Sequence, residues 1–203
     1  MAISNYGELK AELSAYLFHQ RLANRYDNCT QLFETSANSR LRVLPMEAST
    51  LLTTASGTVA LPSDYITWRT VKYPSRRDYG ELDYVHPAYL PSVQLNRRPP
   101  VFTIEGSNFI TRPVDDTADA WEFHYYGKIP SLVGVATNTN WLLTEYPNAY
   151  LFGVITELAA VQRNAEMAQL YKARRDEAFQ EIIQRYAMTT GATSPTVRTA
   201  EYF

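Results

Sequence analysis

The chain has 203 residues, 45% apolar and 20% charged, with a formal net charge of −2. That is length for one sizeable domain or two small ones with a real core, in a composition typical of soluble globular proteins, without the positive excess of a free nucleic-acid binder. Cys29 is the only cysteine, which excludes an intrachain disulfide and a four-cysteine zinc site and fits a reducing assembly compartment.

In chain order, residues 1–5 show neither the basic start nor the apolar run of a signal peptide. Asn5 reads as the N-cap of a first helix with Glu8 at N3, a capping box with Asn in place of Ser or Thr. Tyr6, Leu9, Leu13, Tyr16, Leu17 and Gln20 follow at helical spacing. Arg21 to Asn28 is a connection with room for a short turn. A second helix runs from Asn28 to about Arg42, turns Leu32, Phe33, Ala37 and Leu41 inward, and ends before Pro45.

From Met46 to Pro130 the pattern changes to period two. Ser49 to Thr54 and Thr58 to Leu61 flank Ala55-Ser56-Gly57 and read as a hairpin. Tyr65 to Tyr73 is the strongest strand, with Ile66, Trp68, Thr70 and Lys72 on one face and Tyr65, Thr67, Arg69, Val71 and Tyr73 on the other. Leu82 to Val85 is a short strand, followed by a helical turn from Pro87 to Leu90. Val101 to Ile104 and Phe109 to Arg112 flank Glu105-Gly106-Ser107-Asn108, a second hairpin signal. Ala120 to Tyr126 closes the set.

The last third is helical again. Asn140 caps a short apolar turn, Trp141-Leu142-Leu143, and Pro147 sits where a first helical turn tolerates a missing N–H. Leu151, Val154, Ile155, Leu158 and Gln162 follow one face of a third helix. Asn164 caps a fourth, with Met167, Tyr171, Ala178 and Ile182 in one row, and Gly191 stops it. Thr193 to Phe203 carries Pro195 and no periodicity, so an extended tail is expected. No apolar run nears the roughly twenty residues that span a bilayer. The expected fold is α+β: a four-helix bundle from residues 1–45 and 131–190, an antiparallel β domain inserted at 46–130, and an extended C-terminal tail at 191–203.

Reactive groups are scattered. His19, His86 and His124 fall on three different elements, so a catalytic or metal site would need a fold that gathers two of them with a carboxylate. Asp115, Asp116 and Asp119 lack the alternating ligands and closing Glu of a calcium loop and read as a solvated turn. No phosphate-cradling glycine loop or Gly-x-Ser-x-Gly elbow occurs. Arg76, Arg77, Arg97 and Arg98 lie in loops, where they serve solubility or meet phosphate or an acidic partner surface. Arg174 and Arg175 have Asp176, Glu177 and Glu181 for i, i+3 or i+4 pairing, within or between chains. Fifteen tyrosines suit either a surface that ends half-buried against partners or a tyrosine-rich β core. No catalytic residue, cofactor or metal ligand set is expected.

Asn140-Trp141-Leu142-Leu143-Thr144-Glu145-Tyr146-Pro147, leading into Tyr150-Leu151-Phe152-Gly153, resembles the Asn-Trp-Leu-Leu-x-x-(Tyr/His)-Pro-x-x-Tyr-Leu-(Tyr/Phe)-Gly segment of the head-to-tail adaptor (connector) proteins of tailed bacteriophages. Gly57-x-Val59-x-Leu61-Pro62-x-Asp64-Tyr65-Ile66 is similar to that family's first hairpin, and Leu82-x-Tyr84-Val85-x-Pro87-x-x-Leu90 to its next strand and turn. Pro100-x-x-Thr103-Ile104-x-Gly106, Pro113 and Tyr125-Tyr126-x-x-Ile129-Pro130-x-Leu132 continue the likeness in order, over roughly Asn5 to Arg185. The second helix departs from it. There the family's Ala-Glu-Ala-Arg-Ile-Asn-Arg is reduced to Phe33-Glu34-Thr35-Ser36-Ala37-Asn38-Ser39.

The resemblance implies a structural virion protein and not an enzyme: a ring of roughly twelve copies, each touching two neighbours. It would sit beneath the portal at the head-tail interface after assembly in the host cytoplasm. Expected partners are portal, a tail nozzle, stopper or tube protein, further copies of the chain, and double-stranded DNA that passes without specific binding; no membrane is expected. A net charge of −2 per copy allows a neutral or negative bore that does not trap phosphate. Val197, Arg198, Tyr202 and Phe203 are the expected portal-docking residues, and Trp141, Leu142, Pro147, Tyr150 and Leu151 the motif core. Arg76, Arg77, Arg97 and Arg98 are expected to contact a neighbour or a tail protein. The alternative is a carbohydrate- or host-surface-binding module of a phage tail with Trp68, Trp121 and tyrosines as its platform.

Overall fold

In the computed structural model, which describes residues 3–17, 20–54, 56–73, 80–94, 100–114 and 119–189, the first helix α1 (Tyr6–Leu17) starts at a side-chain cap. Asn5 Oδ1 accepts from Glu8 N at 2.9 Å, and the Glu8 carboxylate returns bonds to Asn5 Nδ2 (3.0 Å) and Ser4 N (2.6 Å). This satisfies donors that a helix start otherwise leaves orphaned. A 3₁₀ turn (Gln20–Arg25) leads into α2 (Tyr26–Arg40), which begins two residues before the expected Asn28. The sequence also placed Leu32 inward; it is 55% exposed, because Tyr26, Cys29, Thr30, Phe33, Glu34 and Ala37 make the buried face.

The chain forms two compact units, a helical one of residues 1–46 and 128–192 and a β unit built on residues 47–127. After the β unit come α3 (Trp141–Glu145), α4 (Pro147–Val161) and α5 (Ala165–Thr189). Nine of the fifteen α4 residues are buried, which marks an interior helix covered on several sides. It packs against α1, α2, α3 and α5. The α4–α5 corner is a Schellman turn, with Asn164 N on Ala159 O and Arg163 N on Ala160 O, both 3.0 Å. Arg163 takes the left-handed conformation there (φ 58°), and Asn164 Oδ1 caps α5 by accepting from Met167 N at 3.0 Å.

The β unit has two sheets. One has the order β1 (Glu47–Thr54), β7 (Asp119–Gly127), β3 (Tyr65–Lys72), all antiparallel. The other runs β2 (Thr58–Ala60), β6 (Asn108–Arg112), β5 (Val101–Glu105), β4 (Asp83–Tyr84), with β4 parallel to β5. Leu52, Val71, Leu82, Phe102, Phe109, Trp121, Phe123 and Tyr125 form one core drawn from both sheets. The fold is therefore mixed α+β, and the expected antiparallel β insert is corrected to a mixed one, because β4 joins β5 in parallel.

Two local expectations are corrected. Ser49–Thr54 and Thr58–Leu61 do not form a hairpin: β1 pairs with β7 and β2 with β6. Gly57 (φ +72°) accepts from Thr111 N at 2.8 Å, so Ser56-Gly57 carries the chain from one sheet to the other. In β3 the strict alternation fails, because register shifts fall between Tyr65 and Thr67 and between Trp68 and Thr70. The extra residues turn Tyr65, Trp68 and Val71 to the core together. The β5–β6 hairpin does form, with Glu105 opposite Asn108 and Gly106 at φ +59°, a positive φ that glycine adopts freely.

Candidate functional site

Where the chain re-enters the helical unit, four consecutive residues are tied to α2 or to the motif segment. Ile129 N donates to Asn38 Oδ1 (2.8 Å), Pro130 O accepts from Asn140 Nδ2 (2.7 Å), Ser131 Oγ donates to Glu34 Oε2 (2.6 Å), and Leu132 N donates to Glu34 Oε1 (2.8 Å). Asn140 also caps α3 by accepting from Leu143 N at 2.9 Å, and its Nδ2 donates to the Tyr150 hydroxyl at 2.7 Å. Tyr150 in turn donates to Glu34 Oε1 at 3.2 Å. Glu34 is 5% exposed and Tyr150 fully buried, so each polar atom in this cluster needs these partners to be buried at all. Burial first, and then the Glu34 charge, hold the Tyr150 hydroxyl well above the usual tyrosine range. It stays a neutral donor.

The remaining motif residues pack around this knot. Leu142, Leu143, Tyr150 and Leu151 are buried, and Pro147 is half-buried at the first turn of α4. Trp141 is half-buried, its ring edge-on to Tyr186 at 6.4 Å. Gly153 is required by a neighbour: a Cβ there would lie 2.0 Å from Phe33 Cδ2. Glu34 and Asn38, the two α2 side chains that hold the return segment, are also two positions at which residues 33–39 keep the adaptor pattern. Their signal in the sequence is a Glu and an Asn beside the mainly apolar residues Tyr26, Cys29, Thr30, Phe33 and Ala37.

A second knot joins α2 to α5. Asp176 Oδ1 accepts from Arg40 Nη1 (2.6 Å), Arg175 Nε (3.0 Å) and Arg175 Nη2 (2.9 Å), and Arg175 is buried. Partial burial works to raise the Asp176 carboxyl, but the hydrogen bonds from Arg40 and Arg175 overcome it and hold it below the usual 3.8. Both guanidiniums lie over the Phe179 ring, at 5.1 and 6.0 Å.

Neither described histidine joins a metal-binding group. His86 Nδ1 caps a 3₁₀ turn by accepting from Ala88 N at 3.2 Å, His124 lies 3.2 Å from Glu122, and His19 is outside the described residues. Among the described residues, no group of three or more His, Cys, Asp or Glu could hold a metal ion. A groove of about 450 Å³ between the α3–α4 junction and α5 is lined by acids and arginines, among them Glu145, Glu177, Arg174 and Arg185. Arg76, Arg77, Arg97, Arg98, Val197, Arg198, Tyr202 and Phe203 lie outside the described residues, as do Asp115, Asp116 and Gly191.

Of the two tryptophans expected in a sugar platform, one is buried and the other half-buried. Trp121 is 1% exposed and donates its Nε1–H to Thr54 Oγ1 at 3.2 Å. Trp68 is half-buried and stacked on Tyr84 at 5.6 Å. Five tyrosines serve the two cores, Tyr6, Tyr26, Tyr125, Tyr146 and Tyr150 being buried, whereas Tyr16 and Tyr89 are exposed.

The distinctive residues of this chain thus build a scaffold. The family model described as SU10 adaptor protein matches residues 4–199, and the chain belongs to that family of phage head-to-tail adaptors. No curated protein matches the chain. The family is a structural one whose members are virion components, and no helix among the described residues is long and apolar enough to cross a membrane.

Proposed function

We propose that the chain is the repeating subunit of a ring, of roughly twelve copies, that joins the portal to the tail and leaves a channel for DNA. The observation that carries this reading is the family match over residues 4–199; the buried Asn140–Tyr150–Glu34 knot supports it as a rigid scaffold. In this reading the helices of residues 1–45 and 131–190 act as a four-helix wall, and the β insert of residues 46–130 meets the nozzle, stopper or tube protein. The tail of residues 191–203 meets the portal through Val197, Arg198, Tyr202 and Phe203. Arg76, Arg77, Arg97 and Arg98 serve as loop contacts to a neighbour or the tail protein. The bore lets double-stranded DNA slide because the net charge is −2 per copy. Assembly takes place in the host cytoplasm.

Electron microscopy of the purified chain mixed with portal tests this reading. A ring of copies stacked on the portal is expected, and single copies or none on the portal would refute it. Removing residues 193–203 should leave a folded chain that no longer sediments with portal; unchanged co-sedimentation would refute the docking role of the tail.

A further inference from the structure

An edge strand presents a row of unpaired N–H and C=O groups, and folded chains blunt such rows with short strands, bulges, charges or proline. Four strands of the β unit lie at sheet edges, β1 and β3 in one sheet and β2 and β4 in the other. Three of them are blunted. β2 has three residues and β4 two. β3 is broken by its two register shifts and carries Arg69 and Lys72. Its outer side is also partly covered, where Lys72 bridges Glu81 and Leu82 N donates to Val71 O at 2.9 Å.

β1 has none of these protections. It keeps one unbroken register with β7, from Glu47 opposite Tyr126 to Thr54 opposite Asp119. It contains no proline or lysine, and its one charge, Glu47 at the first position, is answered by Arg69. Among the described residues it pairs with β7 alone. The alternate backbone groups of residues 47–53 that point away from β7 therefore have no ladder partner. The core is also less covered along part of this strand. Leu52 and Thr54 are buried, whereas Ala48 and Thr50, on the same face, are only half-buried. On the opposite face Leu51 is 63% exposed, across from Glu122.

We infer that β1 receives an added strand, and that this strand belongs to the tail protein next in line. The inference rests on the reading that the β insert meets that protein, and it supplies the mode of contact. The edge defines the chemistry of the occupant: an extended segment of about eight residues without proline, apolar or β-branched where it flanks Ala48 and Thr50, and apolar beside Leu51. A second copy does not supply such a strand from its described residues. Each of its strands is already paired, and its other three edges are short or bulged. β1 laid on β1 is a two-fold contact, which closes on a pair and builds no ring.

Hydrogen exchange of the full-length chain, read by mass spectrometry, tests the inference. It is run on the chain alone, with portal alone, and with the purified tail proteins of the same virus added one at a time. In the free chain about half of the β1 amides should exchange fast, and the tail protein that binds should slow about four of them in peptides covering residues 47–54. Thr50→Lys aims an ammonium at the added strand and should weaken that binding more than about tenfold, while Thr50→Val should keep it. Circular dichroism checks that both variants fold; if Thr50→Lys does not, exchange on the wild-type chain decides alone.

β1 amides that are slow in the free chain, or that portal alone slows, would give the edge to the chain itself, a second copy or the portal and overturn the inference. A tail protein that binds and leaves β1 exchange unchanged would overturn it too, while the reading that the insert meets the tail stands. If no tail protein binds the chain, alone or on portal, that reading fails and the inference with it.

Discussion

Replacing Gly153 with Ala probes how closely α4 approaches α2. A Cβ at Gly153 would sit 2.0, 2.2 and 2.8 Å from Phe33 Cδ2, Cε2 and Cγ, against an ordinary contact of 3.4 Å or more. The ring would have to retreat about 1.4 Å, from 2.0 to 3.4 Å, in an interior packed like a crystal. It cannot do so cheaply. Phe33 is fully buried, edge-on to Tyr150 at 4.9 Å and stacked on Phe179 at 6.0 Å. Overpacking of this kind costs up to about 3 kcal/mol, and the helix preference of Ala over Gly returns about 1. A net loss of about 2 kcal/mol is expected. For a chain of this length that lowers Tm by about 4–8 °C. Phe33→Ala removes the obstacle at a cost of its own, about 3–5 kcal/mol. In that background Gly153→Ala should stabilise by about 1 kcal/mol, so the cycle carries a coupling of about 3. Urea unfolding followed by circular dichroism measures all four corners. The close-approach argument fails if Gly153→Ala has the same sign in both backgrounds.

Asn140→Ala should cost about 3 kcal/mol, because it removes the α3 cap and leaves Pro130 O and the Tyr150 hydroxyl without their donor. Asn140→Asp should recover only the cap share in the same urea titration, and full recovery would show that the donors do not matter. The Asp176 carboxyl is held below the usual 3.8 in the folded chain, so its contribution is present above that pH and is lost as pH falls through the folded value. Asp176→Asn should therefore lower stability near neutrality and flatten the acid limb below about pH 4, and an unchanged acid limb in a pH series of thermal melts would contradict this. Arg163→Gly should raise stability by about 1 kcal/mol, since a left-handed position costs an L residue about that much. Calorimetry showing a lower Tm would mean that the Arg163 side chain makes a contact worth more than the strain.

Helix starts were legible because caps are local. Asn5, Asn140 and Asn164 each accept a backbone N–H three residues on, and that chemistry is contained in four residues of sequence. Strand partners were not. Ala55-Ser56-Gly57 carries a turn signal, but a turn between strands of two sheets and a hairpin turn need the same glycine; only pairing with β6 and β7, about fifty to eighty residues away, separates them. The faces of β3 are hidden from the sequence for a related reason. A bulge is set by what the neighbouring strand must bury, and Trp121, Phe123 and Tyr125 of β7 demand three core partners where strict alternation aligns Trp68 against Tyr65 and Val71. Leu32 reads as inward because it is apolar, whereas Glu34 takes the interior position by finding three donors.

The Asn140–Gly153 segment is conspicuous because it closes an insertion. A chain that leaves a helical unit at Met46 and returns at Lys128 must regain its register on the way back, and hydrophobic packing alone fixes register weakly for an extended segment. Directional bonds do it instead: Ile129, Pro130, Ser131 and Leu132 each have a named partner on α2 or at Asn140. All of those partners lie inside the helical unit. The β insert can therefore change without disturbing the bonds that reseat the chain, whereas Glu34, Asn140 and Tyr150, bonded to one another, cannot change independently. In the proposed ring, that division would leave the helices to hold the assembly together and the insert to fit what comes next.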